Sequence, residues 1–328
     1  MKKILGIGNA LVDVMTPIND DKILEEFALP KGSMQLVDES RSDLIKSRTN
    51  KFQRTFSSGG SAANTIHGLA MLGAETGFIG SVGKDVTGSI FENEMRKAGV
   101  NTFMFRRDTP TGTAVALVSK DHQRTFATHL GAAIELNAGD LDKNMFLGYD
   151  ILYLEGYLIN NLLLMESACK IAKEQNMVIA LDLSSYNVVE AYFNEFKTIV
   201  ADFIDIIFAN EDEARIFTGS VPPEALKKMS ENALISIVKI GPGGSWLKKN
   251  EEIIKVDSLP VKCIDTTGAG DLYASGFLYG FAKNLDFEKC GILGSLLAGN
   301  VIEVVGAKIN DEKWPFIRKY FSILSRKK

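Results

Sequence analysis

Apolar positions follow two different periods along this chain, and the switch between them divides it. Residues 3–8 form a short apolar run closed by glycine, the pattern of a buried strand. The next fifty residues break into short apolar pieces at 11–18, 34–37 and 53–56, separated by polar turns, with one helix predicted over 39–47. From Gly59 the period lengthens. Residues 61–72 carry Ala, Leu and Ile at helical spacing, 76–82 read as a strand, and 87–98 as a helix that Gly99 closes. Residues 113–118 and 125–129 are β-rich runs either side of a polar stretch at 119–124, which predicts a hairpin ending at Gly131.

Beyond Gly131 strands and helices alternate. Strands are predicted at 151–154, 178–183, 205–209 and 234–240, and helices at 162–175, 188–201, 211–217 and 223–231. A second hairpin at 245–256 precedes long helices at 269–282, 287–304 and 312–324. Such alternation predicts an α/β fold with a mainly parallel sheet covered by helices on both faces. The two β-rich inserts, about 10–58 and 108–130, do not fit that sheet. The economical arrangement is a single domain over residues 1–328, an α/β core carrying a small β-rich lid built from both inserts.

Composition narrows the function. The 37 basic and 41 acidic side chains leave a net charge of −4, which disfavours nucleic acid as the main partner. No apolar stretch reaches the roughly 18 residues of a membrane span, and the apolar start is too short for a signal peptide. Cys169, Cys263 and Cys290 are too few and scattered for a disulfide framework or zinc site, which points to the cytoplasm. His67, His122 and His129 show no ligand spacing.

Familiar phosphate signatures fail. Gly83-Lys84 is followed by Asp85, not Ser or Thr, so there is no P-loop, and Gly6-Ile7-Gly8 lacks the third glycine of a dinucleotide fingerprint. The most informative stretch is Asp265-Thr266-Thr267-Gly268-Ala269-Gly270-Asp271, which opens an apolar helix. Small residues let backbone N–H groups reach an anion, and the helix start adds partial positive charge. A carboxylate beside a bound phosphate has no reason to bind it. Asp271 makes sense as a base for a hydroxyl that attacks the phosphate.

Ser58-Gly59-Gly60-Ser61-Ala62-Ala63-Asn64 joins the first insert to the core. It suits close backbone contact with a polyhydroxy ligand, or equally a hinge before a capped helix. Asn9 and Asp13 approach from the other side, where a carboxylate can accept from two vicinal hydroxyls. Asn210-Glu211-Asp212-Glu213 follows a buried strand, where α/β ligands gather. It reads as a capped helix start or as acids holding hydrated Mg²⁺. Lys239-Ile240-Gly241-Pro242-Gly243-Gly244 is a strand followed by a glycine turn, bordering a nucleotide or closing a hairpin.

Together these motifs resemble the ribokinase-like (PfkB) family of sugar and nucleoside kinases. Gly59-Gly60-x-x-x-Asn64 with Gly80-x-Val82-Gly83-x-Asp85 is similar to its first signature, the Asp265 to Asp271 string to its second, and Asn210-Glu211-x-Glu213 to its magnesium and phosphate motif. The likeness spans roughly residues 3–308. It implies a Rossmann-like three-layer core with a β lid, transferring the γ-phosphate of ATP to a primary hydroxyl. Asp271 would be the base, with Gly268, Ala269 and Gly270 as the anion hole. Asn9, Asp13, Gly59, Gly60 and Asn64 would hold the acceptor. Asn210 and Glu213 would order Mg²⁺ through water, and Thr267, Lys239, Gly241 and Gly244 would border the nucleotide. The family more often has Thr where Lys239 stands. Asp265 resembles a residue that shapes a monovalent-cation site, so K⁺ joins Mg²⁺ among the implied ions.

Details around Asn9, residues 32–36 and Arg124 resemble bacterial members of the adenosine-kinase-like branch, with Arg124 either swinging onto the phosphate or standing as a solvated hairpin residue. Met34, Leu36 and Phe126 are candidates to hold a purine, or else form the lid's own small core. The expected reaction is adenosine to AMP in a monomer or homodimer. The rivals are a ribokinase- or fructokinase-like sugar kinase and a non-catalytic nucleotide-binding regulator.

Overall fold

The β-rich and alternating regions of the sequence become two separate sheets. The computed structural model describes residues 1–120 and 123–326, so His122 lies outside the described residues. Its strands are β1 (Ile4–Ile7), β2 (Leu11–Pro17), β3 (Met34–Leu36), β4 (Thr55–Gly59), β5 (Thr76–Gly83), β6 (Asn101–Arg107), β7 (Thr111–Val118), β8 (Arg124–Gly131), β9 (Ile151–Glu155), β10 (Val178–Asp182), β11 (Ile206–Asn210), β12 (Ile235–Lys239), β13 (Ser245–Lys249) and β14 (Glu252–Val256). The large sheet has nine strands in the order β14-β13-β12-β11-β10-β9-β1-β5-β6, parallel except for the antiparallel edge β12-β13-β14.

The central strands are apolar at nearly every position because both faces are covered. In β1, Ile4 packs into one layer and Leu5 and Ile7 into the other. Gly6 is required, since a Cβ there would collide with Ile66 of the helix Ser61–Met71. That helix and Ala269–Ala282 lie on one face, and Leu162–Glu174 and Phe193–Phe203 on the other.

The small sheet runs β3-β8-β7-β2-β4 and draws its strands from both inserts. Its own core, including Val14, Val115 and Ala127, packs beneath Leu24 and Ile45 of the helices Lys22–Glu26 and Glu39–Arg48. The covered face is therefore turned away from the large sheet's ligand end, and Met34, Leu36 and Phe126 are not part of this core.

Two expectations need correction. Residues 188–201 are not one helix but two, Tyr186–Ala191 and Phe193–Phe203, because Tyr192 leaves helical geometry at φ −122° and ψ 39°. Residues 101–107, unassigned from the pattern, form the edge strand β6; its half-buried mixture of Thr, Phe, Met and Arg does not alternate. The hairpin expected at 245–256 forms as β13 and β14, and β13 also pairs with β12, so it extends the large sheet.

Candidate active site

Asp271 stands in the first turn of the helix Ala269–Ala282, entered through Gly268 in the left-handed conformation at φ 75°. Helix starts leave N–H groups without intrahelical partners. The Ala269 N–H turns to the Thr266 carbonyl at 3.1 Å, whereas those of Gly268, Gly270 and Asp271 meet no acceptor among the described residues. The N–H groups this loop leaves without an acceptor among the described residues are thus those of Gly268, Gly270 and Asp271, and Ala269 contributes smallness and no free donor.

The Asp271 carboxylate accepts from Ser61 Oγ at 2.7 Å and from Asn64 Nδ2 at 2.9 Å. Burial pushes its pKa up to about 6, and those two donors pull against the rise. Asn64 Oδ1 is buried without a protein donor among the described residues, so it is free for a ligand hydroxyl. The glycines of this junction are set by close approach. A Cβ on Gly59 would collide with the Asp13 carboxylate, and one on Gly60, at φ 99°, with the Asn9 carbonyl. Burial pushes Asp13 up to about 7.

Two acids that the motif search passed over complete this end of the site. Glu155, at the end of β9, accepts from the Asn9 N–H at 2.9 Å, Asn9 Nδ2 at 2.6 Å and the Ala62 N–H at 2.8 Å. It clamps the end of β1 to the helix Ser61–Met71, and burial raises it to about 7. Asp182 ends β10 and accepts from Lys239 Nζ at 2.7 Å and the Ser184 N–H at 3.0 Å. Both could have been found, since each is an acid closing an apolar strand at the edge where α/β ligands bind.

Asn9, Gly60, Ser61, Glu155 and Asp271 line one end of a cavity of about 700 Å³. Met34, Leu36 and Phe126 line another part of it, with Met34 facing Phe126 across β3 and β8. Tyr157, Asn160, Asn187 and Tyr192 also line this cavity and carried no signal in the sequence. Tyr192 reaches the cavity where the helix breaks.

A second cavity of about 350 Å³ begins at Lys239, Gly241 and Gly244 and runs past Ala269 and Gly270. It therefore reaches the same glycine loop that carries Asp271 of the first. Burial works against the Lys239 ammonium, but Asp182 and Glu213 together hold its pKa above the usual lysine value. Glu213 is buried and pushed up by that burial. Asn210 and Glu213 form a reciprocal cap: the Asn210 N–H and Nδ2 each donate to Glu213 at 2.7 Å, and the Glu213 N–H donates to Asn210 Oδ1 at 2.8 Å. Among the described residues no three acids, histidines or cysteines cluster as a metal cage. The buried carboxylate oxygens of Asp182 and Glu213 fit a hydrated Mg²⁺ carried on nucleotide phosphates, the usual habit of that ion.

Arg124 is not a solvated hairpin residue. It is buried, its guanidinium pairs with Asp265, and Nη1 donates to Thr267 Oγ1 at 3.1 Å. Asp265 also accepts from the Thr267 N–H at 3.0 Å and the Gly306 N–H at 2.9 Å. Both Asp265 oxygens thus carry hydrogen-bond donors, and one of them also the Arg124 cation. His67 is half-buried, desolvation pushes its pKa down to about 3, and among the described residues no metal grouping includes it or His129.

The glycine-lined helix start that carries Asp271 thus borders two cavities of an α/β fold. The chain belongs to the pfkB family of carbohydrate kinases, whose family model matches residues 33–314. The adenosine kinase of Sinorhizobium meliloti is 32% identical, with a TM-score of 0.88 over 97% of this chain and 99% of its own. A probable sugar kinase protein of Rhizobium etli is 31% identical, with a TM-score of 0.89 over 98% of both chains. The adenosine kinase of Saccharomyces cerevisiae is 29% identical over 94% of this chain and 96% of its own. The protein is accordingly a ribokinase-like, ATP-dependent kinase acting on a hydroxyl group. Among the described residues no helix is long and apolar enough to cross a membrane.

Proposed function

We propose that the chain phosphorylates the 5′-hydroxyl of a purine nucleoside, adenosine first, with ATP. The observation that carries this reading is the composition of the larger cavity: Asp271 and the polar Asn9–Gly60–Glu155 end suit a ribose, while Met34, Leu36 and Phe126 offer apolar surface to a flat base. The adenosine kinases among its relatives support it.

In this reading Asp13 and Asn64 hold the ribose and Asp271 takes the proton of the attacking hydroxyl. The free N–H groups of Gly268, Gly270 and Asp271 receive the transferring phosphate, and Arg124 moves from Asp265 onto it. Lys239, Gly241, Gly244 and Thr267 border the nucleotide. Mg²⁺ would neutralise phosphate charge, held through water by Asn210 and Glu213. The inserts 10–58 and 108–130 act as a lid of the single domain, excluding water during transfer.

A sugar kinase is the second reading. Asn160, Asn187, Ser184 and Ser185 also line the cavity and can serve extra hydroxyls, and the Rhizobium etli protein carries that name. Comparing kcat/KM for adenosine, inosine, ribose and fructose decides between them. Adenosine should lead by at least an order of magnitude; ribose or fructose ahead of it removes the nucleoside assignment.

A further inference from the structure

Lys308 lies outside every motif described above. Residues 305–309 follow the helix Phe287–Val301 and pass behind the anion loop. The Gly306 N–H donates to Asp265, and a Cβ on Gly268 would lie 2.7 Å from Ala307. The next side chain crosses to the small sheet. The Lys308 ammonium donates to Ser58 Oγ at 2.6 Å and to Glu94 Oε2 at 2.7 Å. The Ser58 N–H donates to that same Glu94 oxygen at 2.6 Å. Ser58 belongs to β4, pairs with Val12 of β2, and precedes the glycine over which the Asp13 carboxylate lies. One ammonium thus joins the segment behind the anion loop, the strand β4 and the helix Val86–Lys97, beside Asp13.

We infer that Lys308 is a positioning residue for the acceptor site: it fixes Ser58 and Gly59 beneath Asp13 and supplies the positive charge that lets Asp13 meet hydroxyls as a carboxylate. This rests on the reading of Asp13 as the acceptor carboxylate.

The charges facing Asp13 give the sign of the effect. After burial, Lys308 is the largest influence and favours the carboxylate, as does Arg124 of β8. Asp271, on its helix, and Glu94 oppose it. His67, on the helix Ser61–Met71, faces Lys308 and Glu94 but is neutral and adds no charge. Removing the ammonium takes away its attraction and leaves the Glu94 charge unpaired, and both changes raise the pH at which Asp13 ionises. A merely structural pair, partly exposed at both ends, would move stability slightly and leave the pH dependence alone.

The experiment measures adenosine affinity of the full chain by calorimetry between about pH 5.5 and 9. It uses the unaltered protein, Lys308→Met, Lys308→Arg and Asp13→Asn. Unaltered, affinity should rise with pH through about 7. In Lys308→Met that rise should move up by about one unit, costing about fivefold in affinity at pH 7, about tenfold at the acid end of the range, and recovering at high pH. Lys308→Arg should restore the profile, and ATP affinity should hold in both. Glu94→Gln, which keeps the ammonium, should move the rise downward and serves if Lys308→Met does not fold. Unshifted profiles in Lys308→Met and Glu94→Gln, with binding lost in Asp13→Asn, overturn the inference. Unchanged binding in Asp13→Asn overturns the acceptor-site reading instead.

Discussion

Asp271→Asn separates the chemical role of this carboxylate from its structural cost. Asparagine keeps the shape: its carbonyl can face Asn64 Nδ2 and its amide can donate to Ser61 Oγ, so both hydrogen bonds survive. It cannot take a proton from the acceptor. Loss of a general base costs on the order of 10²–10⁴ in rate, about 3–5 kcal/mol of barrier. The folded-state pKa of about 6 lies above the ordinary aspartate value of 3.8. An aspartate raised in this way stabilises the fold only while protonated, and that stability is lost as pH rises from about 4 through 6. At neutral pH the ionised side chain therefore costs the fold up to about 3 kcal/mol, which asparagine removes. ADP release at saturating ATP and adenosine should fall at least a hundredfold at pH 7.5. Tm should rise by several degrees at that pH and match the unaltered protein at about pH 4. Activity within tenfold of the original would refute the base assignment, and a Tm lowered at pH 7.5 would refute the burial argument.

Gly60→Ala would force a Cβ onto the Asn9 carbonyl at a φ of 99°. It should cost more than about 2 kcal/mol in thermal or denaturant unfolding and lower activity. Phe126→Ala should raise the KM for adenosine about tenfold or more while leaving that for ATP within twofold, as read by initial rates. Saturating adenosine should slow hydrogen exchange of amides in β7 and β8; an unchanged pattern would remove the support for a closing lid.

The parallel core was legible because its strands are buried on both faces and read as unbroken apolar runs, as in residues 151–154 and 178–181. The glycine-rich start of the helix Ala269–Ala282 was legible because small residues before an apolar run mark a helix entry. What escaped was of two kinds. Glu155 and Asp182 belong to no motif and matter only because β9 and β10 place them beside Asn9 and Lys239. Tyr157, Asn187 and Tyr192 come from segments whose approach to β3 and β8 is a tertiary fact without a local pattern. The Asn210–Glu213 pair shows the converse: the sequence allowed a cap or an ion-ordering motif, and the structure forms the cap, with Glu213 buried and Asn210 exposed. Arg124 was one of two alternatives in sequence, and its burial against Asp265 and Thr267 removes the solvated one.

The central claim is that Asp271 directs the γ-phosphate of ATP to the 5′-hydroxyl of adenosine. A single reaction holding ATP labelled in its γ-phosphate with equal concentrations of adenosine, ribose and fructose tests it, the products being separated by mass. The account predicts label in AMP, little in either sugar phosphate, and none above background when Asp271→Asn replaces the enzyme. Label chiefly in ribose or fructose phosphate, or undiminished AMP from Asp271→Asn, would contradict it.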